Sequence, residues 1–469
     1  MQSSSMISGA AKEVRDTGKA CATPNLVQIE PQSRWVPSRF NARAVRPDGQ
    51  TVLWNSFTGA LTSFGAHHRN DLEESLSQSG FSGPLRGLRR YLHERGYLVR
   101  AEENQLRQAE VLINSQHFRN DILELILLAS EDCNLRCEYC YEDFLRGTMQ
   151  PWVREGIRRL VQNRIVNCRE FTVGWFGGEP LFGFEAIEDL APFFVQICEK
   201  YQVQFASHMT TNGYLLTPEV AGKLLLWNIR DFQITLDGTA EMHNRKRKGR
   251  GGQDTFDVIY GNLLSLKEQK ETFSVTVRMN FDRENKDNLH ELLELLGKSF
   301  AGDSRFVLKF QAIGQWGGPQ DEHLEVCGFQ EKKETLVLLS QSAAANGLRM
   351  DEPFHDGASP GKQVCYAARP YNYLVGADGK IMKCTIVLDK KDYNVVGKLT
   401  ADGSLEMDYD KYALWTHPAF ASDGHCKACQ LLPNCQGMHC PLIRIEEDKS
   451  PCPPMKRNLR NVLLDASKP

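Results

Sequence analysis

Cys133-Asn134-Leu135-Arg136-Cys137-Glu138-Tyr139-Cys140 follows within three residues of the apolar run Ile122-Leu123-Glu124-Leu125-Ile126-Leu127-Leu128-Ala129-Ser130, and this junction decides how the chain is read. A short, nearly continuous apolar run rich in branched side chains suits a buried strand. Working outward, comparable runs recur as FTVGWF from Phe171, VQFASHMTT from Val203, DFQITLD from Asp231, FSVTVRMN from Phe273 and FVLKFQAI from Phe306. Helical stretches separate them. Such alternation predicts a parallel sheet or partial barrel. Parallel sheets carry their chemistry at the C-terminal ends of the strands, and the three cysteines stand just past the first run.

The flanks read differently. Residues 1–31 are rich in Ser, Ala and Thr without apolar periodicity and are expected as a disordered tail. The segment Phe40 to Leu53 alternates around a Pro47-Asp48-Gly49 turn, which signals a hairpin. Leu85, Leu88 and Leu92 follow at helical spacing with Gly96 as a stop, and then comes Tyr97-Leu98-Val99. Residues 32–102 are therefore expected as a small domain of hairpin, short helices and a wing-like strand, and 103–120 as a linker. After about Leu348 the alternation ends. The region 348–469 is turn-rich and cysteine-rich, with a hairpin predicted at Gly376-Ala377-Asp378-Gly379, and metal more than a large core is expected to hold it.

A chain of 469 residues has room for two or three domains. Its net charge of -3 gives no basic footprint, so nucleic acid is not an expected partner. No apolar run is long enough to span a bilayer and the N-terminus lacks a signal-peptide core, so no membrane partner is expected and the location is read as cytoplasmic. In that reducing compartment 14 cysteines point to metal binding or catalysis rather than disulfides. Cys21, Cys168, Cys198 and Cys327 stand alone, as buried hydrophobes do. The other ten form two dense sets.

Three thiolates in one loop leave one iron of a four-iron cubane without a protein ligand, open to an outside chelator. A zinc knuckle short of one ligand is the plainer alternative. The CxxxCxxC spacing of Cys133, Cys137 and Cys140 resembles that of the radical S-adenosylmethionine (SAM) superfamily. The resemblance implies a partial (β/α)6 TIM-like barrel over 121–347. It also implies a [4Fe-4S] cluster on the three cysteines, closed by the amino and carboxylate groups of SAM, whose reduction splits SAM to a deoxyadenosyl radical. Further matches lie at strand ends. Gly177-Gly178-Glu179-Pro180 resembles the family's SAM-amino motif, although an ordinary turn would read the same. Asn212, in Thr211-Asn212-Gly213, ends the third strand. Thr235, before Leu236-Asp237-Gly238, and Arg247, twelve positions on, match SAM contacts of relatives; Asn280 is a further candidate for that pocket. The run Asn244 to Gly252, NRKRKGRGG, otherwise reads as a solvated loop.

Cys365, Cys384, Cys426, Cys429, Cys435, Cys440 and Cys452, in this order, resemble the SPASM domain, which holds two auxiliary iron–sulfur clusters. The resemblance assigns Cys426, Cys429, Cys435 and Cys452 to one complete cluster and Cys365, Cys384 and Cys440 to the other. Two departures stand out. Four residues rather than three separate Cys435 from Cys440, which puts His439 at the usual ligand position; Cys440 is kept because thiolate is the usual cluster ligand. Anaerobic sulfatase maturases carry an Asp after the cysteine matched by Cys384, where this chain has Thr385, and a hydroxyl does not accept a proton near neutral pH.

Residues 39–99 also resemble the winged-helix leader-recognition domain of peptide-modifying enzymes. The function expected is thus a radical SAM maturase of a ribosomally made precursor peptide, forming a carbon–carbon or thioether link, with a one-electron reductant such as flavodoxin or ferredoxin. A sulfatase maturase making formylglycine is the second reading. A non-catalytic, zinc-stabilised binding protein is the third.

Overall fold

The computed structural model describes residues 33–467 apart from 145, 352–356, 389, 419 and 421, so the expected tail lies outside the described residues. Two compact units emerge. The first combines residues up to 118 with 352–365 and 418 onward; the second comprises 119–351 and 366–417.

In the first unit, strands β1 (Arg34–Pro37), β5 (Phe81–Ser82) and β6 (Leu98–Arg100) form one antiparallel sheet in the order β5-β1-β6. The predicted hairpin is β2 (Asn41–Val45) and β3 (Thr51–Asn55), and β4 (Leu61–Phe64) completes a second sheet. Every residue of β3 is buried because both of its faces are covered. Leu53 joins Phe64, Leu72, Leu92 and Tyr97 on one side. Val52 and Trp54 join Ala358, Leu431 and Leu463 on the other, with Trp54 Nε1 donating to the Ala358 carbonyl at 3.1 Å. The segment 103–120 is not a plain linker. It holds the 13-residue helix Gln105–His117, capped by the Asn104 side chain, which accepts from the Arg107 amide at 3.1 Å. Its buried stripe is thin, Ala109 and Ile113 with His117, so periodicity signalled it weakly.

The second unit is built on one sheet. Strands β7 (Ile122–Ser130), β9 (Glu170–Gly177), β10 (Gln204–Thr211), β11 (Ile229–Thr235), β13 (Ser274–Phe281) and β14 (Phe306–Ala312) are the six predicted runs, adjacent in sequence order and parallel. Between them lie β8 (Leu135–Cys137) and β12 (Arg247–Gly249), which pair only with each other. The sheet is larger than a six-stranded barrel. β15 (Arg349–Met350) extends it beyond β14, while β16 (Asn372–Val375) runs parallel to β7 at the opposite edge. β17 (Lys380–Met382), β18 (Val395–Leu399) and β19 (Leu405–Met407) continue it antiparallel to eleven strands. The predicted hairpin at Gly376–Gly379 is the β16–β17 turn. Part of the region expected to depend on metal is therefore sheet, and Leu128, Leu374, Met382 and Leu388 share a core cluster.

Alternation gives this sheet two unlike faces. Leu123, Leu125, Phe171, Val173, Phe232, Val275 and Val277 are buried on the helix-covered face. There Phe171 meets Phe194, from the helix Phe184–Tyr201, at 5.3 Å between ring centroids, and Phe205 at 5.5 Å. The registers place Glu124, Thr172, His208, Gln233, Thr276 and Lys309 on the other face, half-buried or exposed. A polar inner face does not fill itself with branched side chains as a closed barrel core does. Among the described residues no helix is long and apolar enough to cross a membrane.

Removing the Phe194 ring should cost about 3–5 kcal/mol, the usual range for emptying a packed aromatic site. Phe194→Ala is expected to lower the urea midpoint of the far-UV circular dichroism transition.

Candidate functional site at the C-terminal rim of the sheet

The three-cysteine loop leaves β7 and is fixed on two sides. β8 pairs with β12 so that Cys137 stands opposite Arg247 and Leu135 opposite Gly249. Cys133 is buried; its sulfur accepts from the Leu135 amide at 3.3 Å and from Asn212 Nδ2 at 3.6 Å. The same Nδ2 donates to Asn134 Oδ1 at 2.8 Å. Cys140 closes a turn onto the Cys137 carbonyl at 3.2 Å. Burial pushes all three thiols up, Cys140 to about 12, so without metal they stay protonated.

The Gly177-Gly178-Glu179-Pro180 segment packs directly on this loop. A Cβ on Gly177, whose φ is +120°, would lie 2.0 Å from the Ser130 carbonyl oxygen. One on Gly178 would lie 2.7 Å from that of Asp132 and 3.2 Å from Cys133 Cβ. The glycines thus let backbone approach backbone: the amides of Gly178 and Glu179 donate to Ser130 and Asp132 at 3.1 Å each. Glu179 is fully buried. Its Oε1 accepts from the Leu181 amide at 2.9 Å and Thr211 Oγ1 at 2.7 Å, and its Oε2 from the Asn212 amide at 2.7 Å. The carboxyl thereby clasps the ends of β9 and β10 together. Burial raises its pKa to about 7 against these donors.

A third node joins strands that the sequence separates widely. The Tyr139 hydroxyl donates to Asp237 Oδ2 and accepts from Arg247 Nη1 at 2.6 Å and Asn280 Nδ2 at 3.1 Å. Asp237 Oδ1 accepts from the Asn280 amide at 2.7 Å, and Arg247 pairs with Asp237 at 3.6 Å. Asp237 is wholly buried, which pushes its carboxyl up while Arg247 opposes. The basic run Asn244 to Gly252 is only partly solvated: Arg245, Lys248 and Arg250 are exposed, whereas Lys246 is buried against Asp282 at 2.8 Å and Glu284 at 2.7 Å, and Arg247 is buried beside Tyr139.

The structure thus gathers Cys133, Cys137, Cys140, Gly177, Gly178, Glu179, Pro180, Asn212, Arg247 and Asn280 around one loop, with Thr235 at the end of β11 two residues before Asp237. Tyr139 and Asp237 lie inside the motifs, whose spacing gives them no role of their own. Their link spans 98 residues and needs the sheet order to be seen. Among the described residues three buried donors, on the thiol loop and on the elements joined to it, lack a partner: Asn134 Nδ2, Arg247 Nε and His243 Nε2. Unsatisfied buried donors cost about 1–3 kcal/mol each, so an acceptor-rich ligand suits the place. The donor set therefore fits a thiolate-ligated cluster with a carboxylate- and hydroxyl-bearing ligand beside it. Among the described residues no three metal-ligating groups close on one ion-sized point, whereas a four-iron cluster takes its thiolates further apart.

In the first unit, Cys426, Cys429, Cys435 and Cys452 line one small pocket. Their supports are local. Asp423 caps the helix Gly424–Ala428 and accepts from the Cys426 thiol at 3.4 Å and from Ser450 Oγ at 2.6 Å. Cys429 Sγ accepts from the Leu431 amide at 3.4 Å, and Lys456 Nζ donates to Cys452 Sγ at 3.4 Å. Burial pushes Cys426 up to about 12 and Cys435 to about 11. Cys365 and Cys440 also belong to the first unit and Cys384 to the second. His439 Nδ1 bonds the Gln363 carbonyl at 3.1 Å, and burial lowers its pKa.

Residues 127–296 match the family model of the Radical SAM superfamily. A cysteine-type anaerobic sulfatase-maturating enzyme of Clostridium perfringens (strain ATCC 13124) is 32% identical over 333 residues, 67% of this chain and 87% of that one. Mycofactocin maturase MftC of Mycolicibacterium smegmatis is 24% identical over 64% of this chain and 74% of its own. Among solved structures, native anSMEcpe with bound AdoMet and Cp18Cys peptide superposes with a TM-score of 0.53 at 20% identity, covering 73% of this chain and 96% of that one.

Gly178→Ala should push the cysteine loop off its support. In metal-free protein, maleimide labelling of Cys133 is expected to quicken about tenfold, as for a local opening made about 1.4 kcal/mol easier. Peptide mass spectrometry reads it.

Proposed function

Because the chain belongs to the radical SAM superfamily of enzymes, we propose that it is a maturase that takes hydrogen from a ribosomally made precursor peptide and thereby forms a carbon–carbon or thioether link. The observation that carries this reading is the thiol loop standing at the rim of a sheet whose inner face is polar and open. Such a face suits a substrate more than a packed core.

When bound, a cluster on Cys133, Cys137 and Cys140 with SAM supplies a radical strong enough to abstract hydrogen from carbon. The chain's own part is to hold and to shield. Asn212 and the Leu135 amide steady the Cys133 sulfur, and the Gly177–Glu179 clasp fixes the loop's height above the sheet. Tyr139, Asp237 and Asn280 hold Arg247, whose Nε, together with Asn134 Nδ2 and His243 Nε2, would meet the acceptors of SAM. Their burial excludes water from the rim.

Cys426, Cys429, Cys435 and Cys452 would hold an auxiliary iron–sulfur cluster, whose negative charge the Lys456 ammonium at Cys452 would offset. Closing a link removes two electrons, and a second redox centre gives the extra electron a place to go; a flavodoxin or ferredoxin would supply the reducing electron. The sheet β2-β3-β4 offers edge strands to which a precursor peptide could add. Support also comes from the relatives, one a maturase by name and one solved with a bound peptide.

The 32% identical relative favours a second reading, sulfatase maturation. Against it, Thr385 carries a hydroxyl bonded to the Tyr366 hydroxyl at 2.8 Å, and neither accepts a proton readily near neutral pH.

Cys133→Ala should abolish release of 5′-deoxyadenosine by the reduced enzyme, measured by chromatography. Short peptides from reading frames flanking the gene should lose two hydrogens in the presence of intact enzyme; an aldehyde formed instead in a sulfatase-derived peptide would establish the second reading. Stripping iron with a chelator should make residues 422–452 the first site of proteolysis, because short helices and the core contact of Leu431 then hold that segment.

A further inference from the structure

The inner face of the sheet carries a cavity of about 300 Å³, walled by β7, β9, β10, β16 and the residues around Tyr366 and Thr385. At about 30 Å³ per water this is room for roughly ten waters, or one large side chain. Its charges cancel. Glu124 is held by Arg369 Nη1 at 2.5 Å and by Asn372 Nδ2 at 3.2 Å, so the acid and the base in the wall neutralise each other. What remains is uncharged: the hydroxyls of Thr172, Thr210, Tyr366 and Thr385, the ring of Phe176, and His208.

His208 is built into this cavity by a neighbour. It pairs in register with Gly174 on the adjacent strand, and a Cβ on Gly174 would lie 2.6 Å from His208 Nε2. Glycine inside a strand weakens it and marks a close approach, here of the imidazole across β9. No hydrogen bond engages the ring among the described residues. The ring is open to solvent within the cavity, and the protein packed around it desolvates it enough to hold it below its usual range, against Asp231 and Glu124, which favour the charged form. A neutral ring can both donate and accept. Asn212 lies one residue past the end of β10 and four on from His208, at most about 13 Å away at about 3.3 Å per residue. That depth leaves the rim to the cofactor.

We propose that this cavity receives the substrate side chain, that the side chain is uncharged and hydrogen-bonding, and that His208 reads it. The inference rests on the chain being a peptide-modifying enzyme. A charged side chain of either sign would have to break the Arg369–Glu124 pair to find a partner in the wall. A hydroxyl, thiol or carboxamide meets hydroxyls and an imidazole able to pair with it.

The test uses SAM-loaded holoenzyme and pentapeptides with a central Ser, Cys, Asn, Tyr, Asp or Lys between glycines. Diethyl pyrocarbonate labelling of His208 is followed by peptide mass spectrometry. The uncharged polar peptides should slow labelling about tenfold at ten times their dissociation constant, and the Asp and Lys peptides should not. Equal labelling with every peptide, or better protection by a charged one, overturns the proposal. Gly174→Ala, which displaces the ring, should raise KM for a modified peptide about tenfold with little change in kcat, and His208→Gln should retain more of the peptide affinity than His208→Ala. A fall in kcat with KM unchanged in all three variants would also overturn it. Release of 5′-deoxyadenosine is read separately: its absence beside an intact protection pattern defeats the function proposed above and leaves the cavity assignment standing.

Discussion

The close approach of two backbones at the rim of the sheet is the constraint on which the site depends. Gly177 and Gly178 bring the end of β9 so near to Ser130–Cys133 that no side chain fits between, and hydrogen bonds then fix the distance. The thiol loop needs such a support because its sulfurs are buried and uncharged until a metal arrives. A loop of this kind cannot rely on metal to hold its shape in advance. It rests instead on a scaffold of neutral contacts and on the Glu179 clasp, whose three donors tie two strand ends together.

The same sheet balances packing against opening. Its outer face is apolar and covered, and its aromatic cluster around Phe171 and Phe194 supplies the core. The inner face forgoes that burial and keeps Glu124, Thr172, His208 and Gln233 in reach of water. Gly174 repeats this choice on a small scale, giving up strand stability so that one imidazole can lie across it. Stability is concentrated on one face so that the other can be shaped for chemistry.

The six parallel strands were legible because their apolar runs are long and bounded by helical stretches, and the cysteines because thiol spacing is a strong signal. That Cys426, Cys429, Cys435 and Cys452 share one pocket follows from the fold, while their grouping as a ligand set comes from resemblance alone. What the sequence hid was mostly long-range. The hydrogen bond from Tyr139 to Asp237 joins residues 98 apart, and nothing in either motif announces the other. Strands β16 to β19 are short, and their place in the sheet comes from the pairing of β16 with β7 and of each with the next rather than from their own pattern. The basic run around Lys246 looked solvated because its partners, Asp282 and Glu284, lie some 36 and 38 residues on. His208 carries no motif at all; its signal is a glycine directly across a strand pair.

The first unit is assembled from three separated stretches of chain, and that has a consequence for biosynthesis. Trp54 bonds Ala358 across 304 residues, and Arg46 bonds the Leu464 carbonyl across 418. A ribosome adds about 5–20 residues per second, so β2 and β3 wait on the order of tens of seconds before the residues that cover them exist. During that interval the nascent chain exposes Val52, Trp54 and two unpaired strand edges. The second unit's parallel strands emerge during this wait, able to pair in the order of synthesis. Strands translated before the large sheet are thus among the last parts to finish folding, and it is there that a cell making this enzyme has most need of a chaperone.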